Sequence, residues 1–83
     1  MTKTETRPLR TIAQEILREW KPLHYTAKPY VEALLSLDSI EENYLYDSAR
    51  SVVSYFLANA STWRGETARR IKKELNAMLK SSR

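Results

Sequence analysis

The sequence predicts an all-α fold, a single compact domain of four helices set as a bundle or an orthogonal array. Three observations predict it. One glycine and three prolines in 83 residues leave too few turn residues for sandwiches or runs of hairpins, which need them at short intervals. Apolar residues recur at spacings of three and four along the chain, the period of a helix face and not of a strand. Capping and breaking signals then divide the chain into segments of helical length, at about 8–20, 27–37, 45–59 and 62–80.

In the first segment Leu9, Ile12, Ala13, Ile16, Leu17 and Trp20 form one stripe. Thr11 with Gln14 has capping-box spacing, and Thr6 before Pro8 offers an earlier start with proline in the first turn. Pro22 ends this helix near Trp20, because a proline pushes the residue before it out of the α region. The linker KPLHYTAKP leads to a second helix from Thr26 or Ala27, with Pro29 in its first turn. Its apolar set, Tyr30, Val31, Ala33, Leu34, Leu35 and Leu37, is too dense for one stripe and marks it as the most buried helix. In LDSIEEN, Asp38 and Ser39 can both cap, and Ser39 with Glu42 repeats the capping-box spacing. A short helical turn is expected there, before NYLYD delivers the chain to helix three. That helix, starting at about Tyr44 or Asp47 and ending at Asn59, turns Ala49, Val52, Val53, Phe56, Leu57 and Ala60 inward. Ala60-Ser61 is the break, with Ser61 or Thr62 as the next cap. In helix four Trp63, Thr67, Ala68, Ile71, Leu75, Met78 and Leu79 share an arc of roughly 160° at about 100° per residue. Residues 1–6 and 81–83 are expected to fray.

Most chemistries lack their residues here. Without cysteine there is no disulfide framework, thiolate zinc site or cysteine nucleophile. The one histidine, His24, sits in a proline-flanked linker with no partner for a triad, and the acids are not spaced to make up a metal site. Gly65 alone cannot build a glycine-rich phosphate cradle. Asp38, Glu41, Glu42 and Asp47 occupy capping and linker positions, where the helix N-terminus favours negative charge, rather than the protected cleft that acid–base catalysis needs. The chain reads as no enzyme, with no cofactor, no metal and no small-molecule substrate. No apolar run approaches the ~20 residues of a membrane span, and the N-terminus has no secretory pattern. The expected location is cytoplasmic, which the lack of cysteine fits.

Charge is the remaining signal. The net charge is +4, distributed as +2 over residues 1–24, −3 over 25–58 and +5 over 59–83. The stretch ASTWRGETARRIKKEL holds five of the fourteen bases. One reading makes it a recognition helix, with Arg64, Glu66 and Arg69 at base edges and Arg70, Lys72 and Lys73 on phosphates. The other makes it an ordinary amphipathic surface: Glu66, Arg70 and Glu74 follow one another at i, i+4, so two acids bracket Arg70. Aromatic residues add a second candidate surface. Tyr44 and Tyr46, beside the acidic turn, are suited to a protein-facing patch.

The order LANASTWRGETARRIKKEL resembles the helix-turn-helix of winged-helix and related bacterial repressors. The likeness covers residues 57–75, with Leu57-Ala58 on the supporting helix and Thr67-Ala68-Arg69 where such proteins often carry Thr-Val-Arg. It implies a tight turn between helices three and four and double-stranded DNA as partner. Thr62 stands where the family's turn carries glycine, and only eight residues after Leu75 remain for a wing. YFLANASTWRGE also resembles small uncharacterised helical proteins of phages and mobile elements, which implies a cytoplasmic accessory or regulatory role and no site residues. The expectation is a non-enzymatic binding module acting through a protein partner or a copy of itself, with nucleic-acid binding by helix four as the alternative.

Overall fold

The computed structural model describes residues 7–81. Its elements are α1 (Leu9–Glu19), α2 (Lys28–Leu34), β1 (Asn43–Tyr44), β2 (Asp47–Ser48), α3 (Ala49–Ala58) and α4 (Glu66–Ser81). The fold is mostly helical, and the small antiparallel β1–β2 sheet corrects the purely all-α expectation. The expected fraying of 1–6 and 82–83 lies outside the described residues, while Ser81 closes α4.

Helix α1 starts without a side-chain cap. Pro8 is its N-cap, one position earlier than a proline in the first turn, and Thr11 lies inside the helix. The first two amides find partners across the molecule instead. Leu9 N–H donates to the Asp38 carbonyl at 3.0 Å and Arg10 N–H to the Leu37 carbonyl at 2.8 Å. Such amides have no partner within their own helix, so the chain after α2 supplies one. This also explains why α2 stops at Leu34, short of the expected Leu37. The chain tightens there, with Ser36 N–H bonded to the Ala33 carbonyl and Leu37 N–H to the Leu34 carbonyl. Leu37 nonetheless stays buried.

The capping box expected at Ser39 and Glu42 is displaced rather than absent. Glu42 Oε1 accepts from the Asp38 amide at 3.0 Å, and Ser39 Oγ accepts from the Glu41 amide at 3.0 Å. After that turn the chain extends into the hairpin. Asn43 pairs with Ser48 and Tyr44 with Asp47, and Ala49 N–H donates to the Glu42 carbonyl in the same register. Leu45 and Tyr46 form the two-residue turn, Leu45 with φ of +56°. Positive φ at the first central position suits the right-handed twist of paired strands, and glycine is its usual occupant. A leucine there announces nothing in the sequence. Ser48 then caps α3, its Oγ accepting from Ser51 N–H at 3.1 Å, so the helix begins later than Leu45.

The core is continuous across the helices. Leu9, Ile12 and Ile16 of α1, Val31 and Leu34 of α2, Val53 and Phe56 of α3, and Ile71 and Leu75 of α4 are fully buried. Each such side chain contributes ~1.5 to 3 kcal/mol relative to exposure. One end of the core is aromatic. Trp20 stacks on Trp63 with ring centroids 5.2 Å apart and planes 5° from parallel, and meets Phe56 edge-on at 6.4 Å.

Trp63 does not belong to α4. Seven residues, Asn59 to Gly65, separate α3 from α4, where a tight turn at Ala60-Ser61 was expected. Ser61 and Thr62 are exposed in this connection. Gly65 is the residue before the helix and not a member of its first turn. Its carbonyl accepts from Arg69 N–H at 3.0 Å, and its φ of +114° is reached readily only without a Cβ. The chain therefore leaves α3, plugs Trp63 into the core, and turns at Gly65 to begin α4.

Candidate functional site

The fold sorts the five bases of residues 60–75 into two groups. Arg70 is drawn back to α1, where its guanidinium pairs with Glu15. Arg7 grips Glu74 with both Nε, at 2.9 Å, and Nη2, at 2.7 Å, and Nη2 also lies 3.0 Å from Glu15 Oε1. The ladder expected along α4, with Arg70 between Glu66 and Glu74, thus gives way to a network across helices. Glu15 is only 12% exposed at its side chain. The bond from Arg70, joined by that from Arg7, holds its carboxyl below the usual range although burial works the other way. The hydrogen bond to Glu74 raises the Arg7 guanidinium in turn. Arg70 is thus ion-paired to α1, with its side chain about half exposed.

Arg64, Arg69 and Lys72 face a different setting. With Ser61, Trp63, Gly65 and Ala68 they line an open recess of about 260 Å³ at the start of α4. Lys72 is half-buried, and Nζ donates to the Trp63 carbonyl at 2.7 Å. Burial lowers its pKa, and the neighbouring charge of Arg64 lowers it further. Glu66, Arg69, Arg70 and Lys73 border a second depression on the outer side of the helix. Of the residues expected to contact nucleic acid, Arg64, Arg69 and Lys72 therefore come together. Glu66 and Lys73 are exposed beside them, and Arg70 is paired away. The seven-residue connection exceeds the about 3 to 4 residues of a helix-turn-helix turn.

No family model, curated protein or solved structure matches this chain.

The hairpin divides the two candidate tyrosines. Tyr44 is half-buried and packs against the core, whereas Tyr46 is as exposed as a residue in an open chain, at 103%. Beside it stands Leu45, at 80%, which the sequence reading did not single out. Nothing short of the hairpin turn itself could have marked it. Exposed Glu42 and Asp47 flank this tip. Elsewhere Tyr55 of α3 lies 5.6 Å from Tyr30 of α2, ring to ring, and Tyr25 stacks on His24. His24 itself is tied locally, with Nδ1 accepting from the Thr26 amide at 3.2 Å and 2.8 Å from the Thr26 hydroxyl. Among the described residues no cluster of acids and histidines could hold a metal ion, and no helix is long and apolar enough to cross a membrane.

Proposed function

We propose that the protein is a non-catalytic binding module that engages another protein through its hairpin tip, Leu45 and Tyr46. The observation that carries this reading is the presentation of two large apolar side chains, 80% and 103% exposed, on a turn with a left-handed leucine. A bulky residue with positive φ costs ~1 to 3 kcal/mol and persists only where its surroundings hold it there. Here the paired strands, the Tyr44 anchor and the Ser48 cap do so. Tyrosine is enriched among residues that dominate interface energies, and a rigid two-residue tip loses little freedom when it docks. The matching partner surface is an apolar pocket with a basic rim, set opposite Glu42 and Asp47.

The test places a photo-crosslinking amino acid at position 46 and, separately, at Thr62, exposed in the loop before α4, at the opposite end of that helix from Leu79, whose carbonyl Arg50 holds beside the hairpin. A discrete adduct from position 46 alone is expected, competed by the unlabelled protein but not by its Tyr46→Ser form. Light scattering on the purified protein tells whether the captured partner is a second copy. Identical adducts from both positions, or competition by Tyr46→Ser as strong as by the native chain, would refute the reading.

A further inference from the structure

We propose that the recess at the start of α4 is a phosphate-group site, held by Arg64, Arg69 and Lys72. The inference stands on α4 and its preceding loop and is independent of the hairpin, so failure of either leaves the other intact.

The charge arrangement is the first ground. Three cations converge on one recess, and among the described residues lining it there is no carboxylate. Elsewhere on the same helix Arg70 is paired with Glu15, and Glu74 of α4 takes Arg7 from the chain before α1. Crowded like charges raise the free energy of an empty site, and a di- or monoanion between them lowers it. Burial lowers the basicity of Lys72, and the charge of Arg64 beside it adds to that lowering.

The backbone is the second ground. The first intrahelical bond of α4 runs from Arg69 N–H to the Gly65 carbonyl, so the amides of Glu66, Thr67 and Ala68 precede the ladder at the positive end of a 16-residue helix, and of these three residues Ala68 lines the recess. Space is the third. No atom lies within 4 Å of the position a Cβ would take on Gly65, so a ligand oxygen can approach the main chain there. The loop carrying Arg64 is also fixed in place, because Trp63 is stacked in the core and its carbonyl holds Lys72. The recess is open, which suits one phosphate group with the rest of its molecule in solvent.

Inorganic phosphate at low ionic strength is the first probe, and a short DNA duplex carrying phosphodiesters is the second. Both are followed by amide chemical shifts in the full chain. Arg64→Ala and Arg69→Ala, both at exposed positions, are expected to weaken phosphate binding about tenfold each, the loss of one charge-assisted hydrogen bond. Lys80→Ala, which removes the same charge outside the recess, should change it less than about twofold, as a screened distant charge. Shifts should centre on Gly65 to Arg69. Saturable binding of the duplex alone, with the same dependence on Arg64, supports the site and names the phosphodiester as its ligand. Absence of saturable binding of both probes overturns the proposal. So does equal weakening by Lys80→Ala and Arg64→Ala, which would mean diffuse attraction to net charge.

Discussion

Replacing Gly65 by alanine tests the start of α4 most directly. Helical periodicity alone places Gly65 inside the helix, where alanine would stabilise by up to ~1 kcal/mol. The structure reverses the sign. At φ of +114° an L side chain carries backbone strain of ~1 to 3 kcal/mol. With no atom within 4 Å of the new methyl group, no clash adds to it. The stiffer unfolded chain returns ~0.4 to 1 kcal/mol, so the net loss should be about 1 to 2 kcal/mol. For a domain of this size Tm then falls by roughly 4 to 8 °C per kcal/mol. Urea unfolding followed by helical circular dichroism measures it, with the midpoint shifted and the slope unchanged. A synthetic chain carrying D-alanine, which favours positive φ, should regain the native stability or exceed it. An L-alanine variant as stable as the native chain, or more so, would refute the reasoning and return Gly65 to the helix.

Trp63→Ala should cost ~3 to 5 kcal/mol, and Trp63→Phe clearly less. Chemical denaturation of both variants checks this, and a loss under ~1 kcal/mol would mean that the loop is not pinned by the stack. Leu45→Gly relieves a left-handed leucine and should raise stability by up to ~1 kcal/mol while weakening any adduct formed at position 46. A destabilised Leu45→Gly chain would show that the turn does not strain its leucine. The folded pKa of Glu15 lies below its unfolded value, so its carboxylate stabilises the fold above about pH 4.3, and this contribution is lost as pH falls through the folded pKa. Glu15→Gln should therefore lose ~1 to 3 kcal/mol near neutrality and converge with the native chain in acid. A gap that stays constant down to low pH would remove the charge network from the account.

The long-range pattern of the fold was legible because burial has a period. Leu9, Ile12, Ala13 and Ile16 face inward as their spacing requires, as do Ala68, Ile71, Leu75 and Met78. Residues without a periodic signal were misplaced. The NYLYDS segment is too short for an alternating pattern to stand out, and its turn uses leucine where glycine or asparagine would have signalled a hairpin. Trp63 falls at a helical interval from Thr67 and Ile71 by coincidence, since a loop residue can reach the same core. The candidate surfaces follow the same division. Arg64, Arg69 and Lys72 converge as neighbours in sequence can, whereas the place beside the acidic turn that singled out Tyr44 and Tyr46 together did not tell the half-buried ring from the exposed one. The withdrawal of Arg70 depends on Glu15, 55 residues away, and no local reading reaches that far.

Amide hydrogen exchange should not follow the usual polarity of these helices. The opening amides of a helix ordinarily exchange fast, as frayed ends do. In α1 the amides of Leu9 and Arg10 are bonded to the Asp38 and Leu37 carbonyls, so solvent reaches them only when the stretch after α2 peels away. The first turn of α1 and the chain around Leu37 thereby open as one cooperative unit. At the start of α4 no carbonyl among the described residues protects Glu66, Thr67 and Ala68 in that way. Two helix beginnings in one small molecule thus keep different clocks, one set by the unfolding of a distant segment and the other by the solvent at its door.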